Sequence, residues 1–299
     1  MMLADQAFIF ALFEYPFLRY ALATGLIMGF ITPMIGSFVV IRRLSFIADT
    51  LSHFSLAGLS IGIFLINTLG YTFISDPLYL AIIASIIGAF IIEILRGYYQ
   101  NYKEISMPIV LSLGTALSVL FISLSGGFNT SIYNFLFGSI LTVGDRYLSI
   151  IIGTALLVII LVLVYYKQIV IVSFDELYAR LLGIKIGIFQ FISTFVLALV
   201  VSLSIATVGV LLVSSLMIIP VAAAMKIGKS FKNTIVIAII FSELSIMGGL
   251  WLSYELNIAS GATIVLINIF ILFIVGILKR FYVNKRIKNR QAQSMQETN

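Results

Sequence analysis

The sequence predicts an all-α polytopic membrane protein with about nine transmembrane helices, and three observations support that prediction. The 299 residues are 61% hydrophobic and only 10% charged, whereas a soluble domain carries roughly 25% charged residues. Apolar runs of about 20 residues, the length that crosses a bilayer, recur along the whole chain. These runs are continuous and do not alternate at every second residue, so a membrane β-barrel does not fit.

Nine apolar segments are the predicted spans. They lie at residues 18–41, 51–70, 77–95, 105–124, 146–166, 186–203, 204–225, 233–252 and 260–280. Clusters of Lys and Arg follow the first, third, fifth, seventh and ninth spans, and the positive-inside rule places all of them in the cytoplasm. The chain is therefore predicted to be multi-pass, with its N-terminus outside and its C-terminus in the cytoplasm.

The remaining segments complete the predicted domain organisation. Residues 1–17 form an extracytoplasmic N-terminal segment, 18–280 a single transmembrane domain, and 281–299 a basic cytoplasmic tail. Residues 131–144 are too short to span and predict a short outside-facing helix or a re-entrant piece. The net charge of +6 lies mostly in loops and in the tail, so it reports topology and does not indicate nucleic-acid binding. The absence of cysteine excludes disulfides and thiolate ligands.

The stretch RRLSFIADTLSHFSLAGLSIG places Asp49 and the chain's only histidine, His53, four residues apart inside apolar sequence. On a helix these side chains share a face and can point at one cation. Charged groups at membrane depth are costly, which favours a functional role. Two alternatives stay open: Asp49 caps the helix, and His53 bonds a neighbouring carbonyl. Two ligands are also too few for a metal ion, so other groups must complete any site.

Glu243 is a further candidate metal ligand, because it lies in the middle of the eighth span with no charged neighbour. The alternative is a structural carboxylate that is protonated or paired across helices. Glu93 and Arg96, near the end of the third span, are expected to form an interfacial ion pair. The sequence contains neither GxxxxGK[ST] nor HExxH, which excludes ATP binding by a P-loop and the commonest zinc-protease chemistry.

Residues 171–187, IVSFDELYARLLGIKIG, are the longest polar interruption on the predicted cytoplasmic side. Asp175 and Glu176 come near the start and Arg180 follows, an order that suits the helix dipole. The leucines at 177, 181 and 182 give one apolar face, and Gly183 is placed to end the helix. A short amphipathic helix of this kind lies on lipid or docks into a groove on a partner.

Four segments, in order, resemble those of the permease subunits of bacterial manganese, zinc and iron ABC importers, the ABC-3 type. IRRLSFIADTLSHFSLAGLSIG contains the family's D-x-x-S-H-x-x-L-x-G pattern, and Ala48 stands where the family usually has glycine. The matching positions are Asp49, Ser52, His53, Leu56 and Gly58. SFDELYARLLGI, residues 173–184, resembles the family's cytoplasmic coupling segment, and 208–224 and 257–266 match two further family segments.

The resemblance implies a fold similar to that of the vitamin B12 importer permeases, with two permease copies around one pathway in a bacterial cytoplasmic membrane. It implies two cytoplasmic ABC ATPase subunits and an extracytoplasmic metal-binding protein as partners. This chain then has no enzymatic activity, since a partner hydrolyses ATP. By position, Asp49 and His53 become ligands of the transported ion. The implied ATPase-coupling residues are Phe174, Asp175, Glu176, Leu177, Ala179, Arg180, Leu182 and Gly183.

The metal ion is expected to be cargo, with no cofactor bound permanently. Mn²⁺ is favoured because the visible ligands are few and include a hard oxygen, while Zn²⁺ and Fe²⁺ also accept Asp and His. One alternative is a permease for a siderophore or cobalamin chelate, which needs a wide cavity without protein ligands. Another is a proton-coupled secondary metal carrier, in which Asp49, His53 and Glu243 carry protons. That carrier would leave the coupling segment unexplained.

Overall fold

The computed structural model describes residues 8–69, 76–99, 101–127, 130–138, 145–256 and 258–297. Its helices are α1 Phe8–Glu14, α2 Pro16–Ile41, α3 Phe46–Leu69, α4 Pro77–Tyr98, α5 Ser106–Leu124, α6 Thr130–Phe137, α7 Asp145–Phe174, α8 Glu176–Leu181, α9 Ile186–Val208, α10 Val210–Ile227, α11 Phe231–Leu256 and α12 Ser260–Glu297. A single 3-10 turn, Lys103–Ile105, precedes α5. These ranges contain no strand, which confirms the all-α prediction.

In the part of the chain that the structure describes, eight helices are long and apolar enough to cross a membrane. They are α2, α3, α4, α5, α7, α9, α11 and α12. The other predicted span, 204–225, corresponds to α10, whose apolar stretch is the shorter Val213–Ile227. The boundary expected between 203 and 204 lies instead at Gly209, where a φ of +92° separates α9 from α10. Glycine takes this backbone conformation without steric cost.

The two most buried spans, α2 and α3, form the centre of the bundle. α2 packs mainly against α7, α10 and α11, whereas α3 packs mainly against α4, α5, α9 and α10. Close approach between helices depends on small residues. A Cβ at Gly36 of α2 would collide with the backbone carbonyl of Met217, and a Cβ at Gly58 of α3 would collide with that of Leu80.

Two segments outside the spans are also helical. Within 131–144, residues 131–137 belong to α6, which packs against α9 and α10 and buries Ile132 completely. Gly138 follows the helix, and residues 139–144 lie outside the described part. The predicted tail, 281–299, begins as a continuation of α12, which runs to Glu297. At the other end of the chain, the described part of segment 1–17 contains α1.

Candidate functional site

Asp49 and His53 lie on one face of α3, one helical turn apart. α3 begins at Phe46, so Asp49 is inside the first turn and is not the residue that caps the helix. The positive end of the helix dipole stabilises a carboxylate in this position. Both side chains are partly exposed, whereas the residues at 50–52 between them are buried. Their spacing puts the two Cβ atoms about 5–6 Å apart, within reach of one cation.

Hydroxyl groups hold the backbone of α3 around this pair. The Ser118 hydroxyl of α5 donates to the carbonyl oxygen of His53 over 3.2 Å, and the Thr50 hydroxyl donates to the carbonyl oxygen of Met107 over 3.3 Å. No hydrogen bond or ion pair with another described residue engages either side chain of the pair. The helix is therefore anchored to α5, while the carboxylate and the imidazole are available to a ligand.

Glu243 lies on a different helix interface, where α11 packs on α2. Its carboxyl group lies against Gly29, where an added Cβ would be 3.1 Å from Oε1. Oε2 is buried without a hydrogen-bond partner among the described residues. The same residues contain no group of three or more His, Cys, Asp or Glu side chains placed to hold one metal ion. One copy of the chain thus does not gather Glu243 with the α3 pair, and its role as a ligand stays a prediction.

The segment predicted to couple to an ATPase forms α8, a short helix between α7 and α9. The Asp175 side chain caps it by accepting a hydrogen bond from the backbone N–H of Tyr178 over 2.9 Å. Ala179 is fully buried and packs with residues at the ends of α7 and α9. Gly183, at φ +78°, reverses the chain toward α9. Ala179 and Gly183 therefore position the segment, and neither offers a side chain to a partner.

Large apolar side chains of the same segment are uncovered. Phe174 is 63% exposed, Leu177 75% and Leu181 85%, and Leu182 is 52% exposed. Arg180 lies among them and is also exposed. Several exposed apolar side chains on one short segment, with a charged residue among them, are typical of a protein interaction site.

A polar network joins α8 to three other elements at this end of the bundle. Glu176 of α8 lies 3.6 Å from Arg42, which follows α2, and 3.9 Å from Lys103 in the 3-10 turn before α5. Its Oε1 also accepts a hydrogen bond from the side chain of Gln190, on α9, over 2.9 Å. Glu176 therefore faces the bundle, in contrast to the exposed leucines of α8.

The second carboxylate of the network is Glu93 of α4. It accepts hydrogen bonds from Arg96 over 2.8 Å and from Thr194 over 2.7 Å, which confirms the expected pairing with Arg96. Arg42 donates to Ser193 over 3.3 Å. Sequence analysis missed the links to α9 because these partners are 101 and 151 residues apart in the chain. The available signal was the presence of ionisable residues at the ends of apolar spans.

This architecture defines a class: a multi-pass helical membrane protein with one pair of ionisable residues on an otherwise uncharged central helix and a short exposed helix at one end. The chain belongs to the ABC 3 transport family, whose model matches residues 14–279. It is 33% identical over 269 residues to the manganese transport system membrane protein MntC of Listeria monocytogenes, covering 89% of this chain and 92% of that protein. It is 32% identical over 262 residues to the high-affinity zinc uptake system membrane protein ZnuB of Haemophilus influenzae, covering 87% and 96%.

Solved structures agree with this assignment. A chain of PsaBC from Streptococcus pneumoniae, solved in complex with Fab, matches with a TM-score of 0.77 and 29% identity over 90% of this chain and 94% of that chain. An inward-facing putative metal-chelate type ABC transporter matches with a TM-score of 0.64 over 86% and 85% of the two chains. At 18% identity the second match concerns the fold alone. The resemblance seen in the four sequence segments is confirmed.

Proposed function

We propose that the chain is the membrane-spanning permease subunit of an ATP-driven importer of divalent transition-metal ions, with Mn²⁺ favoured and Zn²⁺ or Fe²⁺ as alternatives. The family match over residues 14–279 carries this proposal, and relatives named for manganese and zinc support it. Asp49 supplies a hard oxygen and His53 a borderline nitrogen, a combination that suits these ions. The ion is cargo that passes through the site.

The metal site is proposed to be shared between two copies of the chain. Within the described residues one copy supplies two ligands and no cluster of three, whereas Zn²⁺ takes four ligands and Mn²⁺ about six. A two-fold axis beside α3 would duplicate Asp49 and His53 and give two carboxylates and two imidazoles. The partial exposure of both side chains supports this arrangement, because a fully buried pair would be out of reach of a second copy.

Two further partners are proposed, an ATPase subunit and a metal-binding protein. The apolar surface at Phe174, Leu177, Leu181 and Leu182 is proposed to dock a cytoplasmic ABC ATPase subunit, with Arg180 at its edge. An extracytoplasmic metal-binding protein, which the family resemblance implies, is proposed to deliver the ion at the opposite end. The proposed topology, with the N-terminus outside and the C-terminus inside, rests on the positive-inside rule. This chain performs no chemistry on ATP. The domain division into 1–17, 18–280 and 281–299 is part of the same proposal.

Energy from ATP reaches the ion through the contacts described above. Movement of the docked ATPase subunits displaces α8, and Glu176 transmits that displacement to Arg42 at the end of α2. The turn after Arg42 leads directly into the first turn of α3, which holds Asp49. The two ends of the pathway are thereby opened in alternation, and a ligand set contributed by two copies comes apart when the copies move. Incomplete coordination lets the ion leave toward the cytoplasm.

The test is uptake of radiolabelled Mn²⁺ and Zn²⁺ by proteoliposomes that contain the chain, its ATPase and its binding protein. We expect Asp49→Asn and His53→Gln each to reduce ATP-dependent uptake by at least tenfold while the complex still assembles. Asp76→Asn is the matched control, because it removes one carboxylate charge and keeps the oxygen that caps α4. Its uptake should equal that of the wild type.

Three outcomes would reject the proposal or part of it. Normal uptake by both variants would place the ion path elsewhere. Uptake that follows a proton gradient without the ATPase would establish a secondary carrier. Uptake of a metal–siderophore complex with no uptake of the free ion would establish a chelate permease. The ion that the wild type transports faster identifies the physiological substrate class.

A further inference from the structure

A cavity of about 480 Å³ lies between α7 and α9, with α2 and the start of α3 behind it. Its walls are mainly apolar and include Phe38, Ile169, Ile188 and Ile192. The volume is within the range of about 300–1,000 Å³ that small-molecule pockets occupy. Along α9 the lining runs from position 188 to 197, which corresponds to about 13 Å of helix. That length is close to one leaflet of a hydrocarbon core about 30 Å thick.

The cavity opens toward the outer surface of the bundle. Ile188 is 57% exposed and Ile192 46%, so the α9 wall is uncovered on one side. On α7, neighbouring large apolar side chains are exposed, including Leu163 at 72% and Val164 at 66%. An uncovered apolar face on a membrane span is the face that contacts lipid. A lipid can therefore reach the cavity sideways from the bilayer.

Arg42 and Lys185 line the cavity at its α8 end. The Arg42 side chain is only 9% exposed, and its Nη2 donates no hydrogen bond to a described residue, although Glu176 Oε1 lies 3.6 Å away. Burial lowers the pKa of Arg42, and the nearby Arg96 lowers it further, yet a guanidinium stays charged. The ion-paired network has an excess of one positive charge. Its three cations are Arg42, Arg96 and Lys103, and its two carboxylates are Glu93 and Glu176.

We propose that this cavity is a binding site for an anionic phospholipid of the inner leaflet, with an acyl chain between α7 and α9 and the phosphate at Arg42 and Lys185. The apolar wall and the cationic end match the two parts of such a lipid, and an amphiphile without net negative charge would leave the excess positive charge of the network unbalanced. The leaflet assignment rests on the orientation given under the proposed function.

The site would connect the lipid bilayer to the transport machinery. Lys185 is the residue immediately before α9, and Gly183, which ends the α8 segment, lines the same cavity. Arg42 links the cavity to α8 through Glu176. A bound anion would stabilise Arg42 in this position and hold α8 against the α2–α3 turn. Each basic residue near a phosphate contributes about 1 kcal/mol, roughly fivefold in association.

Tryptophan fluorescence in proteoliposomes tests the proposal, since Trp251 is the only tryptophan in the chain. The permease with its ATPase, in a Trp251→Phe background, carries a reporter Ile192→Trp in the cavity wall. Its quenching is compared for brominated phosphatidylglycerol and brominated phosphatidylcholine. Leu163→Trp, on the exposed side of α7, is the control. We expect at least fivefold preference for phosphatidylglycerol at position 192 and equal quenching by the two lipids at 163.

Charge variants complete the test. Arg42→Gln should reduce the preference for phosphatidylglycerol at position 192 about fivefold. Lys185→Gln should reduce it by a similar factor. Because Lys185 is exposed, this second variant keeps the test available if the buried Arg42→Gln change prevents assembly. Equal quenching by both lipids at position 192 would overturn the proposal. Loss of the preference on adding inorganic phosphate would show that the arginine takes a soluble anion and would overturn it too. The assay needs no metal or ATP, so its failure is separate from a failure of metal uptake.

Discussion

Glu176→Gln is the perturbation that tests most directly whether α8 drives the rest of the bundle. Glu176 lies 3.6 Å from Arg42 and 3.9 Å from Lys103, and it accepts a hydrogen bond from Gln190. Glutamine keeps the shape and one acceptor oxygen but removes the charge. The change therefore weakens the electrostatic link between α8 and the α2–α3 turn without removing the side chain.

The size of the effect follows from the separation and the exposure of the charges. Two unit charges at this distance attract by roughly 4–5 kcal/mol at an effective dielectric constant of about 20. Glu176 is 36% exposed and Arg42 is 9% exposed, so solvent screening and desolvation reduce the net contribution to about 1–2 kcal/mol. Thermal unfolding of the complex should therefore begin a few degrees lower than in the wild type.

The decisive readout is the ratio of ions transported to ATP hydrolysed. We expect Glu176→Gln to hydrolyse ATP at a rate similar to that of the wild type while uptake falls severalfold. Glu104→Gln, an exposed residue in the 3-10 turn, is the matched control and should change neither quantity. An unchanged ratio in Glu176→Gln, or equal losses in both variants, would refute the transmission of force through this ion pair.

Three further predictions concern helix packing and helix ends. Gly36→Ala should abolish assembly, because its Cβ would collide with the Met217 carbonyl. The Cβ of Gly153→Ala meets nothing within 4 Å, so this control should raise the free energy of unfolding by about 0.5–1 kcal/mol. Size-exclusion chromatography and melting curves compare the two variants. Arg43→Gly should raise the free energy of unfolding by about 1 kcal/mol, because Arg43 has a φ of +57°, a conformation that is costly for any residue except glycine. An unchanged melting curve would contradict this. Asp76→Ala should lower the free energy of unfolding by about 1 kcal/mol or more, because it removes both the α4 cap and the acceptor of the Tyr147 hydroxyl. Asp76→Asn keeps the capping oxygen, so an equal loss in that variant would contradict the capping role.

Most of the helical architecture could be predicted because it depends on local sequence. Apolar runs and basic clusters place most span ends close to the observed helix ends. The fifth span is an exception, because it was predicted to end at residue 166 whereas α7 continues to Phe174. The boundary between α9 and α10 was misplaced since hydropathy does not change there. It is set by Gly209, whose backbone conformation and contact with Gly138 are properties of the folded chain.

The candidate site was likewise predictable only where it depends on local sequence. The i and i+4 spacing of Asp49 and His53 is a local property, and the structure keeps both on one face of α3. The environment of Glu243 depends instead on tertiary packing. Its mid-span position predicts a possible ligand, but the groups around a carboxylate depend on which helix packs against it. Here that helix is α2, which contacts Glu243 at Gly29. The same reason hid the link from Arg42 to Ser193.

The half-site that we propose for each copy would affect which ion the transporter moves fastest. Four protein ligands, two carboxylates and two imidazoles, would fill the tetrahedral shell of Zn²⁺ and hold it tightly. Mn²⁺ prefers about six ligands, so the same four would leave two positions to water, and its intrinsic affinity for nitrogen ligands is lower. A weaker and partly hydrated complex dissociates faster. In a pathway that must release its cargo at every cycle, the proposed Asp49–His53 site would therefore favour Mn²⁺ through its rate of release, although Zn²⁺ would bind the same ligands more tightly.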